Sequence, residues 1–247
     1  MMPGGDGGTA AARRRAAVVA AVAGLALVPW FYVAVSVGKL RTESPSVGDP
    51  VGQYVDFYVD NFSRIPVRAT AFIVQWVILL VLLVAVVRAA CRRLDLAPIV
   101  AVALAGAATT VYVVAEGVGA WPVHAASGMT AEKVRDSLDP GVAQALVLSR
   151  DGLHLAAAVL VGISLLVISW LVLGSDLWGH RTLAVLTAIA GMSATASLVL
   201  GPEFIGAGAF APWGIAVAVV MLFARRRLDG APAAATPGTP PEAAGSA

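Results

Sequence analysis

Five polar residues lie within or beside runs that are otherwise apolar, where an ionisable group is costly. Glu116 lies inside "TTVYVVAEGVGAWP", residues 109–122. Inserting an ionised side chain into a bilayer costs about 2.5–3.5 kcal/mol, so such a residue normally faces the interior of a helix bundle and finds a partner. A second apolar run opens with Arg-Asp and carries a histidine three residues after the aspartate, on the same helical face. The candidate ligand-binding residues are Gln75, Glu116, Arg150, Asp151 and His154.

The chemistry open to these residues is binding. Glu116 is suited to accept a proton or a cation, and Arg150 to orient an anionic group. Two structural interpretations stand beside this one. Glu116 can extend its carboxylate to water at a nearby interface, or Arg150 can pair with Glu116 or Asp151 and hold the third and fourth spans together. We expect His154 to be a hydrogen-bonding neighbour of Asp151.

A metal hydrolase is the alternative from a different class. A metal site needs three protein ligands and a bound water, and His124, His154, Glu116 and Asp151 offer enough ligands for one. However, the sequence has no HExxH motif and no paired-histidine spacing. Its single cysteine, Cys91, excludes an internal disulfide and any multi-cysteine metal pattern. We therefore expect no metal and no cofactor, and we favour a non-enzymatic protein over the metal hydrolase.

The elements that position these residues are predicted to be membrane-spanning helices. Of the 247 residues, 59% are hydrophobic and only 13% are charged, and the mean hydropathy is +0.83. These values are typical of a membrane protein and not of a soluble domain, and the net charge of +2 does not indicate nucleic-acid binding. A helix needs about 20 apolar residues to cross a bilayer. Six segments qualify: 16–38, 69–90, 97–118, 152–173, 182–201 and 204–224.

The distribution of charge predicts the orientation of these spans. Both termini, the 91–96 loop and the 174–181 loop would lie on one side, which holds ten of the 17 Lys and Arg but five of the 15 acids. Short loops rich in arginine remain in the cytoplasm. The sequence therefore predicts an all-α bundle of six transmembrane helices with both termini cytoplasmic.

The remaining segments flank this bundle, which forms one domain over residues 16–227. The tails, 1–15 and 228–247, are rich in Gly, Pro, Ala and Thr, so we expect both to be disordered in the cytoplasm. Aromatic residues at spacings of three and four within 50–63 predict a short amphipathic helix, either a structural cover or a lid. Asp139 before Pro140 is typical of a helix start, so the fourth helix is expected to begin well before its span.

The predicted depth of the polar groups is one-sided. All five candidates, together with Glu203, fall toward the outer ends of the spans, whereas the inner halves are almost purely Val, Leu, Ile and Ala. This placement predicts a polar pocket that opens outward above an apolar plug, and it argues against a continuous aqueous pore.

Three short motifs resemble a family of bacterial six-span integral membrane proteins that is defined only as a domain of unknown function. They are Glu116-Gly117 in "VAEGVGA", Arg150-Asp151 in "VLSRDGLHLAAAVLVG", and the fifth span "HRTLAVLTAIAG". The likeness covers residues 16–227. Val113 stands where the family has an arginine before the glutamate, and Gln75 where it has an acid. The resemblance implies a six-span fold in a bacterial membrane and carries no activity with it.

We therefore expect a multi-pass protein of the bacterial plasma (inner) membrane. Its preferred function is to bind or transport a small molecule or a lipid in the outward-facing pocket, with the lipid bilayer as its other partner. The alternative is a structural or accessory subunit whose polar groups fix helix packing. The sequence leaves the oligomeric state open.

Overall fold

The protein is helical throughout the part described by the computed structural model, which covers residues 6–93, 95–125, 130–200 and 207–230. These residues form eight helices and no strand, which confirms the predicted all-α class. The helices are α1 (Asp6–Val37), α2 (Val51–Asp60), α3 (Ile65–Ala90), α4 (Leu96–Ala125), α5 (Ala131–Ser137), α6 (Pro140–Leu173), α7 (His180–Leu200) and α8 (Ala207–Gly230).

Five helices are long and apolar enough to cross a membrane. They correspond to the first five predicted spans, to within two residues at the ends of the first and fifth, and are Ala10–Val37, Ile65–Ala90, Leu96–Ala125, Pro140–Leu173 and His180–Val199. The sixth predicted span, 204–224, starts on residues outside the described part of the chain, and α8, which contains the rest of it, is not among the five. Helix α8 packs along α1, where Gly24 and Gly214 allow the two backbones to approach closely.

The long helices pack through small residues and aliphatic side chains. Helix α6 is central, with α4 on one side and α7 on the other, and α3 connects α1 to α4. Gly162 lies against Gly191, and the hydroxyl of Ser164 donates to the Ala101 carbonyl at 2.8 Å. Such close contacts and interhelical hydrogen bonds replace the hydrophobic driving force that is missing between helices in lipid. Between these contacts lies an apolar core that includes Leu82, Leu83, Leu165 and Ile168.

Two of the predicted boundaries change. Helix α1 begins at Asp6, so the prediction of a disordered tail over 1–15 is wrong for residues 6–15. This segment has a run of alanines and arginines, which are strong helix formers, directly before an apolar helix that nucleates it. At the other terminus α8 continues to Gly230, and the rest of the predicted tail lies outside the described residues.

The two ends of the bundle differ, and we call them the cap end and the arginine end. The cap end consists of α2, α5, the first turns of α6 and the 38–50 loop, and α2 buries Tyr54, Phe57 and Tyr58 against its surroundings. The amphipathic helix predicted within 50–63 is thereby confirmed. The arginine end, at the opposite side, includes Arg13, Arg92 and the 174–179 loop.

The early start of the fourth predicted helix is also confirmed, because α6 begins at Pro140. The Asp139 carboxylate accepts from the backbone N–H groups of Gly141 and Val142, at 2.8 and 3.0 Å. This cap satisfies two of the donors that a helix start leaves unpaired. Since α6 is continuous from here, Arg150, Asp151 and His154 lie on a regular helix and not in a loop.

Candidate functional site

The first feature of the site is a carboxylate facing an imidazole between two long helices. Glu116 on α4 is 5% exposed, and its Oε1 lies 3.1 Å from Nε2 of His154 on α6. Neither atom has a hydrogen-bond partner of acceptable geometry, although both are buried. A buried polar group without a hydrogen bond costs about 1–3 kcal/mol. The pair is thus in ion-pair contact, and its geometry falls short of a well-aligned hydrogen bond.

The partner of each group differs from the prediction. His154 was expected beside Asp151, three residues earlier on the same helix, but it turns to Glu116. Glu116 also does not extend to water, since the side chain is buried. The reason is the rotation of α6, which directs His154 toward α4 and leaves Asp151 beside Arg150.

An aromatic stack forms one wall of this pair and joins three helices. The Trp76 ring of α3 stacks on Tyr112 of α4 with centroids 4.4 Å apart, and Tyr112 stacks on His154 with centroids 4.7 Å apart. Tyr112 lies one turn before Glu116 on the same face of α4, and its hydroxyl is close enough to the carboxylate to feel its charge. The stack fixes the plane of the His154 ring.

Arg150 is held by contacts that tie the cap end to α6. Its Nε and one terminal nitrogen donate to Asp151 Oδ1 at 3.0 and 2.8 Å, and the same terminal nitrogen donates to Ser44 Oγ at 2.8 Å. The guanidinium lies 5.7 Å from the ring centroid of Phe57 on α2. The predicted ion pair of Arg150 with Asp151 is therefore present, but both residues are on α6, so it does not join two spans.

A glycine on α4 makes room for this arginine. A Cβ added at Gly119 would lie 2.5 Å from Cδ of Arg150, which is closer than real Cβ atoms approach other atoms. The arginine stem thus crosses α4 where no side chain stands in its way. Gly119 comes three residues after Glu116, so the same part of α4 supplies the carboxylate and the space for Arg150.

The charges around Glu116 are more numerous than the sequence suggested. The positive groups that act on its carboxylate are His154, Arg150 and also Arg68 of α3. Arg68 lies 5.2 Å from the ring centroid of Phe72 and donates to the Gly38 carbonyl at 3.4 Å. Two carboxylates, Glu116 and Asp151, are thereby matched by two guanidinium groups. The net charge of the cluster then depends on whether His154 is protonated.

Two further polar groups at this end of the bundle are buried without a hydrogen bond. They are the amide oxygen of Gln75, next to Trp76 on α3, and the hydroxyl of Tyr58 on α2. Burial raises the pKa of Tyr58 to about 12, so this phenol remains a neutral donor at physiological pH. The structure brings together four of the five predicted site residues, as two pairs, and shows no hydrogen bond from Gln75 Oε1 to them.

The ligand set of the metal-hydrolase alternative does not form in the described part of the chain. Among those residues, no three His, Cys, Asp or Glu side chains gather as metal ligands would. Glu116 and His154 make a pair without a third ligand of this kind. Glu203, which the depth argument placed near them, lies outside the described residues.

The site residues missed from the sequence are Trp76, Tyr112, Arg68, Ser44 and Gly119. The spacing Tyr112-x₃-Glu116-x₂-Gly119 was a usable signal, since it places all three residues on neighbouring positions of one helix face. Arg68 lies just outside the predicted second span, 69–90, whereas α3 begins at Ile65 and includes it. Nothing in the sequence indicated Ser44, which meets Arg150 only through the fold.

Comparison of the chain with protein-family models, with curated proteins and with solved structures finds no match. The resemblance to the six-span family therefore remains a prediction, and function has to be argued from the site.

Proposed function

We propose that this is a non-enzymatic, multi-pass membrane protein that binds a small molecule or lipid carrying an amine or hydroxyl group at the Glu116–His154 pair. The observation that supports it is the pair itself: two buried ionisable groups whose facing atoms lie 3.1 Å apart without a well-aligned hydrogen bond. A donor from a ligand satisfies the carboxylate, and a ligand acceptor meets the imidazole when it is protonated. Intramembrane acids paired with histidine commonly mark proton or ligand pathways.

The proposal assigns separate roles to the two pairs. Glu116 is the acceptor, and His154 supplies or withdraws a proton and so sets the charge of the cluster. Arg150 and Asp151 position the cap end over the site, because their contacts reach Ser44 and Phe57. The proposed role of Arg150 thus changes from orienting an anionic group to holding the cover.

The same proposal includes the placement of the chain in the membrane. Helix α8 is the sixth crossing, both termini are cytoplasmic, and the membrane is the bacterial plasma membrane. The arginine-rich termini and loops support this orientation, and the length of α8, 24 residues, matches a bilayer. In this orientation the site lies toward the outside of the cell, beneath α2.

A melting screen tests the binding proposal. Purified protein in detergent is heated with single compounds from a panel of primary amines, quaternary ammonium ions, amino acids and polyols. We expect at least one to raise the melting temperature of wild type and of Glu132→Gln, and to have no effect on Glu116→Gln. Glu132 is an exposed acid on α5 and undergoes the same chemical change. A panel that shifts all three proteins equally, or none, contradicts the proposal.

A structural or accessory function is the second candidate, and the Arg150 contacts favour it. The Arg150 side chain contacts Asp151, Ser44 and Phe57, and it thereby links the cap end to the bundle. Under this function Glu116→Gln lowers the melting temperature and alters no response to a compound. The screen thus separates the two candidates.

A further inference from the structure

A cleft at the arginine end contains a buried guanidinium and is independent of the Glu116–His154 site. It has a volume of about 430 Å³ and lies between Arg13 of α1, the 176–180 segment and Ala224 of α8. The 176–180 segment joins the end of α6 to the start of α7. The cleft therefore lies where three long helices end, at the depth of the lipid headgroups if these helices cross a bilayer.

Arg13 is unusually buried for an arginine, with 5% exposure. Its Nε donates to the Ala89 carbonyl at 2.9 Å, and its two terminal nitrogens each donate to the Asp176 carboxylate. A guanidinium has five N–H donors. These bonds use three of them, which leaves two donors of a buried cation in a residue that lines the cleft.

The charge of the surroundings is positive. Asp176 is the acid in the cleft lining, and it accepts from Arg92 at 2.7 Å as well as from Arg13. Hydrogen bonding from Arg13 and then Arg92 holds the pKa of Asp176 well below its usual range. Beyond it, Arg226 lies 5.7 Å from the ring centroid of Phe223, which contacts Trp178 at 5.0 Å. The Asp176 carboxylate thus accepts hydrogen bonds from two guanidinium groups.

The remaining lining suits a headgroup more than a free ion. His180 Nδ1 lies 2.9 Å from the Leu177 carbonyl and donates to it, so its Nε2 is left to face a ligand. This nitrogen accepts from a headgroup hydroxyl, or donates to a phosphate oxygen once the ring is protonated. Trp178, 39% exposed beside the cleft, has the amphipathic ring that is enriched at membrane interfaces.

We propose that this cleft binds the phosphate group of an anionic phospholipid. Arg13 and His180 meet the phosphate and headgroup oxygens, Trp178 lies against the glycerol region, and the acyl chains continue along α8. Basic pockets between transmembrane helices on the cytoplasmic side are a known arrangement for such headgroups. In this proposal Asp176 competes with the phosphate, because its carboxylate occupies some of the Arg13 N–H donors whether or not lipid is bound.

Native mass spectrometry of the full chain in detergent tests the proposal. Equal doses of phosphatidylglycerol and phosphatidylcholine with identical acyl chains are added, and the retained lipid is counted. We expect wild type to retain the anionic lipid at least about threefold better. Asp176→Asn should increase this preference by about threefold more, because one negative charge beside the bound phosphate is removed. A merely structural Asp176 would not raise it.

Matched variants identify the cleft as the source of the preference. His180→Ala and Arg13→Gln should reduce it to near equality, and Arg93→Gln, which removes an exposed arginine next to Arg92, should leave it unchanged. If Arg13→Gln does not fold, Asp176→Asn and His180→Ala decide the result. Equal retention of both lipids by wild type, or an equal loss in Arg93→Gln, overturns the proposal.

A second arm separates lipid from free phosphate. The melting temperature of delipidated protein is measured with inorganic phosphate and, separately, with the anionic lipid. The proposal expects the lipid to raise the melting temperature and inorganic phosphate to have a much smaller effect. Stabilisation by inorganic phosphate together with no lipid preference would overturn the lipid assignment. Neither result depends on Glu116, so this test and the melting screen fail independently.

Discussion

At Gly119 the absence of a side chain decides where Arg150 can lie. The arginine stem crosses α4 at this position, and from there its guanidinium meets Asp151, Ser44 and the Phe57 ring. Gly117, two residues earlier on the same helix, has nothing within 4 Å of an added Cβ. Both glycines belong to the "VAEGVGA" motif, but only at Gly119 would a side chain collide with Arg150.

Replacing these glycines with alanine should give opposite results. Gly119→Ala is expected to destabilise the protein by about 1–3 kcal/mol, because an overpacked contact forces Arg150 to move. Gly117→Ala is expected to be neutral or to stabilise α4 by up to about 1 kcal/mol, the usual gain of alanine over glycine in a helix. Reversible denaturation in mixed detergent measures both. Equal effects of the two substitutions would contradict the role given to Gly119.

At the scale of elements, the 174–179 loop is held by one acid between two arginines. Asp176 forms ion pairs with Arg13 of α1 and with Arg92 after α3, so its carboxylate connects three parts of the chain. The pKa of Asp176 lies below its ordinary value of 3.8 because of the hydrogen bonds from Arg13 and Arg92. A lowered pKa in the folded state means that the contact stabilises the fold while the group is ionised.

The pH dependence of this contact has a definite sign. Its stabilisation is fully present above about pH 4 and decreases as the pH falls below the unfolded pKa, since the proton then competes with the two arginines. The melting temperature should therefore fall between pH 4 and 2 more in wild type than in Asp176→Asn. Asp60→Asn, which changes an exposed acid at the end of α2, serves as the control and should behave as wild type. Parallel curves for all three proteins would exclude this role.

Helices whose start and length depend on nearby residues could be predicted from the sequence. Contacts that depend on how neighbouring helices pack could not. The apolar runs gave five long helices, and Asp139-Pro140 gave the start of α6, because capping and hydropathy act within a few residues. Helix α5 has only seven residues and no apolar run, so it escaped notice. The partner of His154 depends on how α6 is rotated against α4, and spans built from Val, Leu and Ala do not encode that rotation.

In the part of the chain that the structure describes, buried charge gathers at both ends of the bundle, and the middle is apolar. The cap end holds Glu116, His154, Arg150 and Asp151, and the arginine end holds Arg13, Arg92 and Asp176. Four of the five candidate residues lie in the first of these clusters, and their depth in a membrane stays a prediction. Burial of Arg13 at the other end was not foreseen, because the sequence placed it in a disordered tail.

Cysteine labelling tests which end faces the outside of the cell. In a Cys91→Ala background, Val47→Cys places a thiol on the exposed 38–50 loop, and Arg93→Cys places one at the arginine end. A membrane-impermeant maleimide added to intact cells should label Val47→Cys and not Arg93→Cys, and both should react after lysis. The reverse pattern would show that the proposed orientation is inverted.

The most direct measurement of the central claim is the affinity of the compound found in the melting screen for four proteins. Wild type and Glu132→Gln should bind it equally in isothermal titration calorimetry. Glu116→Gln and His154→Gln should each bind it at least about tenfold more weakly, the loss expected for one charge-assisted hydrogen bond of about 1.5–3 kcal/mol. Equal affinities for all four folded proteins would show that the Glu116–His154 pair is not the binding site.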